Sequence, residues 1–250
     1  MGAKHFICWG VHAVRSALTN AATDGLEMWL RDGGLSADLQ ALAELGRARG
    51  ITVQQAPAKT LVRLTEGAVH QGIVLRRRFP RPLALDDYLA GIPSSPAKPL
   101  LLALDQVTDP QNFGACLRVA DGAGADAVIV PRDHTAALTG HVAKAASGAL
   151  DTVSIISVPN LARSLDALRD AGIWLVGATH DGEQRFFDCD LSAPTGLVFG
   201  AEGAGLRALT RKKCDLLARI PMAGSVASLN VSTAVAIGLF EAVRQRGGEA

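Results

Sequence analysis

Hydrophobic positions along this chain switch repeatedly between a helical and a strand period. In ADLQALAELGRARG, residues 37–50, leucines recur at helical spacing, Ser36 stands at the N-cap position and Gly50 marks the stop. Before it, GVHAVRSAL reads as a helix after a short extended start, and LEMWLRD reads as a strand. After it, ITVQQA is strand-like, AKTLVRLTEG a short helix and GIVLRRR a strand. The first 78 residues thus predict a small α/β unit. Residues 79–99, FPRPLALDDYLAGIPSSPAKP, hold five prolines and read as a linker with about one helical turn, so a domain boundary is expected there.

From residue 100 a second alternation begins. LLALD is a buried strand ending at Asp105, VTDPQN a turn-rich loop, FGACLRVADGAG a helix and ADAVIVP the next strand. HVAKAASGAL is helical, VSIISV a strand, LARSLDALRDAG an amphipathic helix and IWLVGAT a strand. GLVFG (strand), LTRKKCD (short helix), LARIP (strand) and the long helix LNVSTAVAIGLFEAVRQRG complete the chain. Strands alternating with helices predict a mostly parallel sheet covered on both faces. Ligands of such sheets bind in loops at the carboxyl ends of the strands.

Composition narrows the class. With 48% hydrophobic residues in a chain of 250, a sizeable core can form and disorder is excluded. No apolar run is long enough to span a bilayer, and the N-terminus lacks a signal-peptide shape, so an intracellular, cytoplasmic protein is expected. Cys8, Cys116, Cys189 and Cys214 form no Cys-x-x-Cys pair and the six histidines are dispersed; neither a metal site nor a redox motif is expected. Net charge is only +1, but basic residues cluster at Arg76, Arg77, Arg78 and Arg81, and again at Arg207, Arg211, Lys212 and Lys213. Such clusters either hold phosphates or lie solvated on the surface.

Three loops carry candidate chemistry. In TDPQNFGACLR, Asn112 follows the Asp109-Pro110 turn and reads as the cap of a helix beginning near Phe113. Arg118 follows six residues later among small and apolar neighbours, which calls for a partner: a structural carboxylate, or an anion in a binding or catalytic site. In GLVFGAEGAGLRALT, Gly200, Gly203 and Gly205 permit tight turns, but neither dinucleotide nor P-loop spacing is present, and Glu202 would repel a pyrophosphate. In RIPMAGSVASLNVSTAVAIGLFEA, a loop of small residues leads to a helix that Ser228 or Asn230 would cap.

Together these loops resemble the three motifs of the SpoU branch of the SPOUT methyltransferases: DPQNFGACLRVADGAGADAVIVP, GLVFGAEGAGL and IPMAGSVASLNVSTAVAIGLFEA, in that order. GVHAV at 10–14 and EGAVHQGI at 66–73 are similar to the family's L30e-like substrate-binding domain. IPMAGSVASLNVS and FEAVRQR resemble the subgroup that methylates a guanosine of bacterial 23S rRNA in the peptidyl-transferase P loop.

The resemblance implies an α/β SPOUT domain over 100–250 with a deep trefoil knot, a small L30e-like domain over 1–78, and a homodimer. It implies S-adenosylmethionine as cofactor and transfer of its methyl group to a ribose 2′-OH, with no need of a metal. Catalytic positions are Arg118, as proton acceptor or phosphate clamp, with Asn112 positioning it, Glu202 paired to an arginine or bounding the cofactor pocket, and Ser228 and Asn230 organising the loop. Cofactor contacts fall on Gly200, Ile220 and Leu229, with Thr179, Gly203 and Met222 as pocket wall. Lys4, His12, Arg15, Arg76, Arg77 and Arg78 are RNA-binding candidates. The partner is 23S rRNA, free or in a large-subunit assembly intermediate. A tRNA ribose methyltransferase and a non-catalytic RNA-binding protein on the same fold are the alternatives. An oxidoreductase lacks its dinucleotide fingerprint here, and a serine hydrolase its Gly-x-Ser-x-Gly.

Overall fold

The computed structural model describes residues 5–19, 24–80, 82–92, 98–226 and 228–247, and the chain divides into two compact units. The first comprises residues 1–81 and 138–152. Its four-stranded sheet has the order β1-β4-β2-β3, built from β1 (His5–Trp9), β2 (Gly25–Arg31), β3 (Thr52–Ala56) and β4 (Ile73–Arg78). Helices α1 (Val11–Thr19), α2 (Ala37–Ala48) and α3 (Ala58–Leu64) cover it. The core is Leu18, Met28, Leu30, Leu42, Ile73 and Leu75, the residues whose helix and strand periods face inward. Ser36 caps α2, accepting from Leu39 N at 3.4 Å. Residues 138–152 bring α6 (Gly140–Ala146) and a short 3-10 turn into this unit. There Lys144 lies 5.9 Å over the Trp9 ring, and the buried Arg77 pairs with Asp151.

The second unit comprises residues 82–137 and 153–250. Its strands are β5 (Leu100–Asp105), β6 (Ala127–Pro131), β7 (Ser154–Val158), β8 (Trp174–Ala178), β9 (Gln184–Arg185), β10 (Thr195–Gly200) and β11 (Leu216–Arg219). They run in the order β7-β6-β5-β10-β8-β11-β9, parallel at every pairing. Interior strands are apolar on both faces, as burial between helices demands: every residue of β5 is buried. The helices are α4 (Leu85–Gly91), α5 (Pro110–Gly122), α7 (Leu161–Asp170), α8 (Ala208–Arg211) and α9 (Val231–Gln245).

Three details depart from the sequence reading. The proline-rich stretch carries a full short helix, α4, because Leu85, Tyr88 and Leu89 find the core around Leu101, Leu165 and Leu175. Helix α5 starts at Pro110, and its cap is Asp109, whose side chain accepts from Asn112 N at 2.7 Å; Asn112 is therefore inside the first turn and not the cap. The two-residue β9 was not foreseen; its order follows from pairing with β11.

Candidate active site

Three chain segments meet at the carboxyl end of the second unit's sheet. Strand β10 ends at Gly200, in register with Asp105 at the end of β5. The loop that follows folds back on itself, with Gly205 N donating to Ala201 O at 2.9 Å. Gly203 and Gly205 take left-handed φ of 76° and 65°. A Cβ on Gly200 would stand 2.1 Å from the Gly205 carbonyl, so only glycine permits this closure.

Glu202, on that loop, accepts from Asn112 Nδ2 at 3.2 Å. Asn112 Oδ1 in turn accepts from Asn230 Nδ2 at 2.7 Å. Asn230 is also the cap of α9, accepting from Ser232 N at 2.9 Å. One side chain from each of the three loops is thereby fixed in a single chain of amide and carboxylate bonds. Freed from capping, the Asn112 side chain bridges the other two. Among the described residues Glu202 has no arginine partner; Asn112 takes that place.

Beside this network lies a cavity of about 710 Å³. Its wall includes Gly200, Gly203, Ile220, Met222, Leu229 and Thr179, together with Glu202 and Ser228. Phe199, Leu206 and Val231 supply apolar surface. Ser228 lines the cavity and is not the cap.

Arg118 sits in the second half of α5, exposed, and outside the cavity wall. It makes no ion pair among the described residues, so the structural-carboxylate alternative is removed. Burial, from which the need of a partner was argued, does not apply to it.

Sequence reasoning counted Arg211 in a basic cluster but did not bring it, or Arg219, to the cavity edge. Arg211 lines it and forks onto both carboxylate oxygens of Asp181, at 3.0 and 2.9 Å. Those hydrogen bonds draw the Asp181 carboxyl down to about 2. Arg219 donates to the carbonyls of Gly182 and Glu183, both at 2.6 Å. The Asp181-Gly182 turn after β8 was the available signal.

In the first unit the RNA-binding candidates fare differently. Lys4 and Arg81 lie outside the described residues. His12 is exposed on α1. Arg15 pairs with Asp38 at 2.8 Å, Arg76 with Glu27 at 2.9 Å and Arg78 with Asp24 at 2.6 Å, all on or near the surface. Arg77 is 3% exposed, over the Phe6 ring, so its guanidinium is interior and not a phosphate contact; alternation along β4 turns it away from its neighbours' face. The second basic cluster is largely neutralised as well: Arg207 by Asp105, Arg211 by Asp181 and Lys213 by Asp166.

An all-parallel sheet whose end loops enclose one cavity and lock three polar side chains beside it defines the class, and the chain belongs to the SpoU rRNA Methylase family. That family's sequence model matches residues 99–240, and a second, for RNA 2′-O ribose methyltransferase substrate binding, matches residues 7–83. Among individual proteins, the 23S rRNA (guanosine-2′-O-)-methyltransferase RlmB of Pectobacterium atrosepticum is 48% identical over 243 residues, covering 97% of this chain and 99% of its own. The AdoMet-bound rRNA methyltransferase of Sinorhizobium meliloti superposes with a TM-score of 0.81 at 28% identity, over 96% of this chain and 87% of that one. The SpoU methyltransferase AviRb of Streptomyces viridochromogenes, in complex with AdoMet, gives 0.81 at 29%, over 98% and 92%.

Proposed function

We propose that this protein methylates the ribose 2′-OH of a guanosine in 23S rRNA, with S-adenosylmethionine as donor. The observation that carries the reading is the bonded series Glu202–Asn112–Asn230 beside the cavity, in a chain matched almost end to end by rRNA methyltransferases.

The residues fit the donor. A volume of about 710 Å³ falls in the range of cofactor pockets. Apolar wall from Phe199 and Val231 suits an adenine face, the loop at Gly200 brings backbone groups close, and the Glu202 carboxylate suits a cationic ligand. Gly200, Ile220 and Leu229 hold the nucleoside part, with Thr179, Gly203 and Met222 as wall. When bound, the donor supplies a methyl group already activated by its sulfonium charge, which requires no Lewis acid.

The chain's own task is positioning. Asn112, bonded on both sides, sets the first turn of α5 against the cavity. Arg118 offers a guanidinium fork that matches phosphate oxygens, with no protein carboxylate competing for it among the described residues. It clamps a phosphate of the RNA and so orients the 2′-OH. Ser228 and Asn230 fix the loop that borders the donor.

The first unit binds RNA, through His12, through Arg15 and Arg78, whose exposed pairs exchange readily for phosphate, and through the half-buried Arg76 beside them. The target is the P-loop guanosine, in free rRNA or an assembly intermediate, and the protein works in the cytoplasm; no described helix is long and apolar enough to cross a membrane. A deep trefoil knot belongs to the reading because the family resemblance implies it; the strand order sets β10 between β5 and β8, with β11 beyond β8. A homodimer belongs to the reading because the family resemblance implies it, and Phe240, half exposed on α9, is apolar surface that a second copy would cover. Mapping of 2′-O-methyl positions in rRNA from cells with and without the protein tests the function. Loss of one guanosine methylation in 23S rRNA is expected; loss only in tRNA, or no loss, overturns it.

A further inference from the structure

One buried charge in the catalytic unit is not absorbed by the reading above. Asp105 closes β5, is 0% exposed and is surrounded by the sheet's apolar interior. A buried carboxylate is costly unless fully bonded. Here both oxygens are used by one residue: Oδ2 accepts from Arg207 N at 3.0 Å and Oδ1 from Arg207 Nε at 2.7 Å. Arg207 is the residue at which the glycine loop ends and α8 begins. The residue at which the loop begins, Gly200, is the register partner of Asp105 across the β5–β10 ladder. Both ends of residues 201–206 are therefore fixed on one residue, Gly200 by strand pairing with the Asp105 backbone and Arg207 by the Asp105 side chain, and the loop between them carries Glu202 and a wall of the cavity.

The same loop is held from its middle by Asn112, on the helix that follows Asp105 in the chain. Two tethers of different strength result. The Asn112 bond is long, at 3.2 Å, and reaches an exposed residue. The Asp105 pair is short, charged and buried on the acid side. Among the described residues Arg207 N makes no backbone hydrogen bond that would hold it there, since it precedes the first turn of α8.

We propose that Asp105 is a positioning residue for cofactor binding: through Arg207 it sets the conformation of the glycine loop, and with it the height of Glu202 over the cavity. Arg207 thus works as a strut and not as an RNA contact. The inference rests on the proposed methyltransferase reading, because it takes the cavity to be the donor's.

The test measures S-adenosylhomocysteine affinity by calorimetry on the full-length protein, alongside the melting temperature of the ligand-free form and affinity for an rRNA fragment. Asp105→Asn and Arg207→Met are each expected to weaken S-adenosylhomocysteine at least tenfold while RNA affinity stays within twofold. The double variant should be no weaker than the worse single one, since the two act as a unit. Arg207→Lys, which keeps a charge beside Asp105, should recover most of the loss. Arg207 is half exposed, so its variants report even where Asp105→Asn does not fold. S-adenosylhomocysteine affinity within twofold of the unmodified protein in Arg207→Met, or equal losses in RNA and S-adenosylhomocysteine affinity, would overturn the proposal. Failure of the unmodified protein to bind S-adenosylhomocysteine would instead sink the methyltransferase reading itself.

Discussion

Arg118 separates binding from turnover at the level of one residue. It lies outside the cavity wall and has no carboxylate partner among the described residues. Arg118→Ala is accordingly expected to leave S-adenosylhomocysteine affinity within about twofold and to lower methyl transfer by at least about a hundredfold, the scale of one lost transition-state contact. Tritium transfer to rRNA checks the second, calorimetry the first. The thiols give a pH prediction. Burial pushes Cys8, Cys116 and Cys214 up to about 12, and also raises Cys189. A raised thiol stays protonated, so at about pH 8 the thiolate of the first three is on the order of one in ten thousand. Ellman's reagent should find those three unreactive in the native protein and all four reactive in denaturant. Asp181 has the opposite sign: its lowered carboxyl contributes stability above the ordinary carboxylate range, lost as pH falls through about 2.

Among elements, the glycine loop and the start of α9 matter most. Gly200→Ala would force a Cβ to 2.1 Å from the Gly205 carbonyl, so the loop must open. An overpacking cost of about 1–3 kcal/mol and a clear loss of S-adenosylhomocysteine binding are expected by thermal melting and calorimetry. Much of this level was legible beforehand. The cap at Ser36, the alternative cap at Asn230 and the apolar strand before Asp105 follow from local spacing. Asn112 was misread, although Asp109 followed by Pro110 carried the correct signal for a helix start. That error hid the bridging role of Asn112, whose two partners, Glu202 and Asn230, lie 90 and 118 residues away in the chain. Arg207 and Arg77 were illegible for a different reason. Their partners lie 102 and 74 residues away, and ion pairs across such distances leave no periodic trace.

The whole molecule divides in space where it does not divide in sequence. Residues 138–152 sit between two strands of the catalytic sheet in the chain, yet fold with the N-terminal unit. A boundary placed in the proline-rich stretch alone therefore leaves out Asp151, the buried partner of Arg77. Asp151→Ala is expected to cost about 3 kcal/mol in urea unfolding, the price of a buried charge left alone. Deleting residues 1–78 should lower rRNA affinity at least tenfold more than S-adenosylhomocysteine affinity, measured by filter binding and calorimetry. Equal losses would make the first unit a structural support. The order β5-β10-β8-β11 could not be read from alternation, since every buried parallel strand looks alike.

The central claim is ribose methylation of a guanosine, and one measurement reaches it directly. Purified protein is incubated with methyl-labelled S-adenosylmethionine and 23S rRNA from cells lacking the protein, and the RNA is then digested to nucleosides. The account predicts label in 2′-O-methylguanosine, lowered at least about a hundredfold when Arg118→Ala replaces the unmodified enzyme. Label on a base, label in another nucleoside, or equal labelling by Arg118→Ala would contradict it.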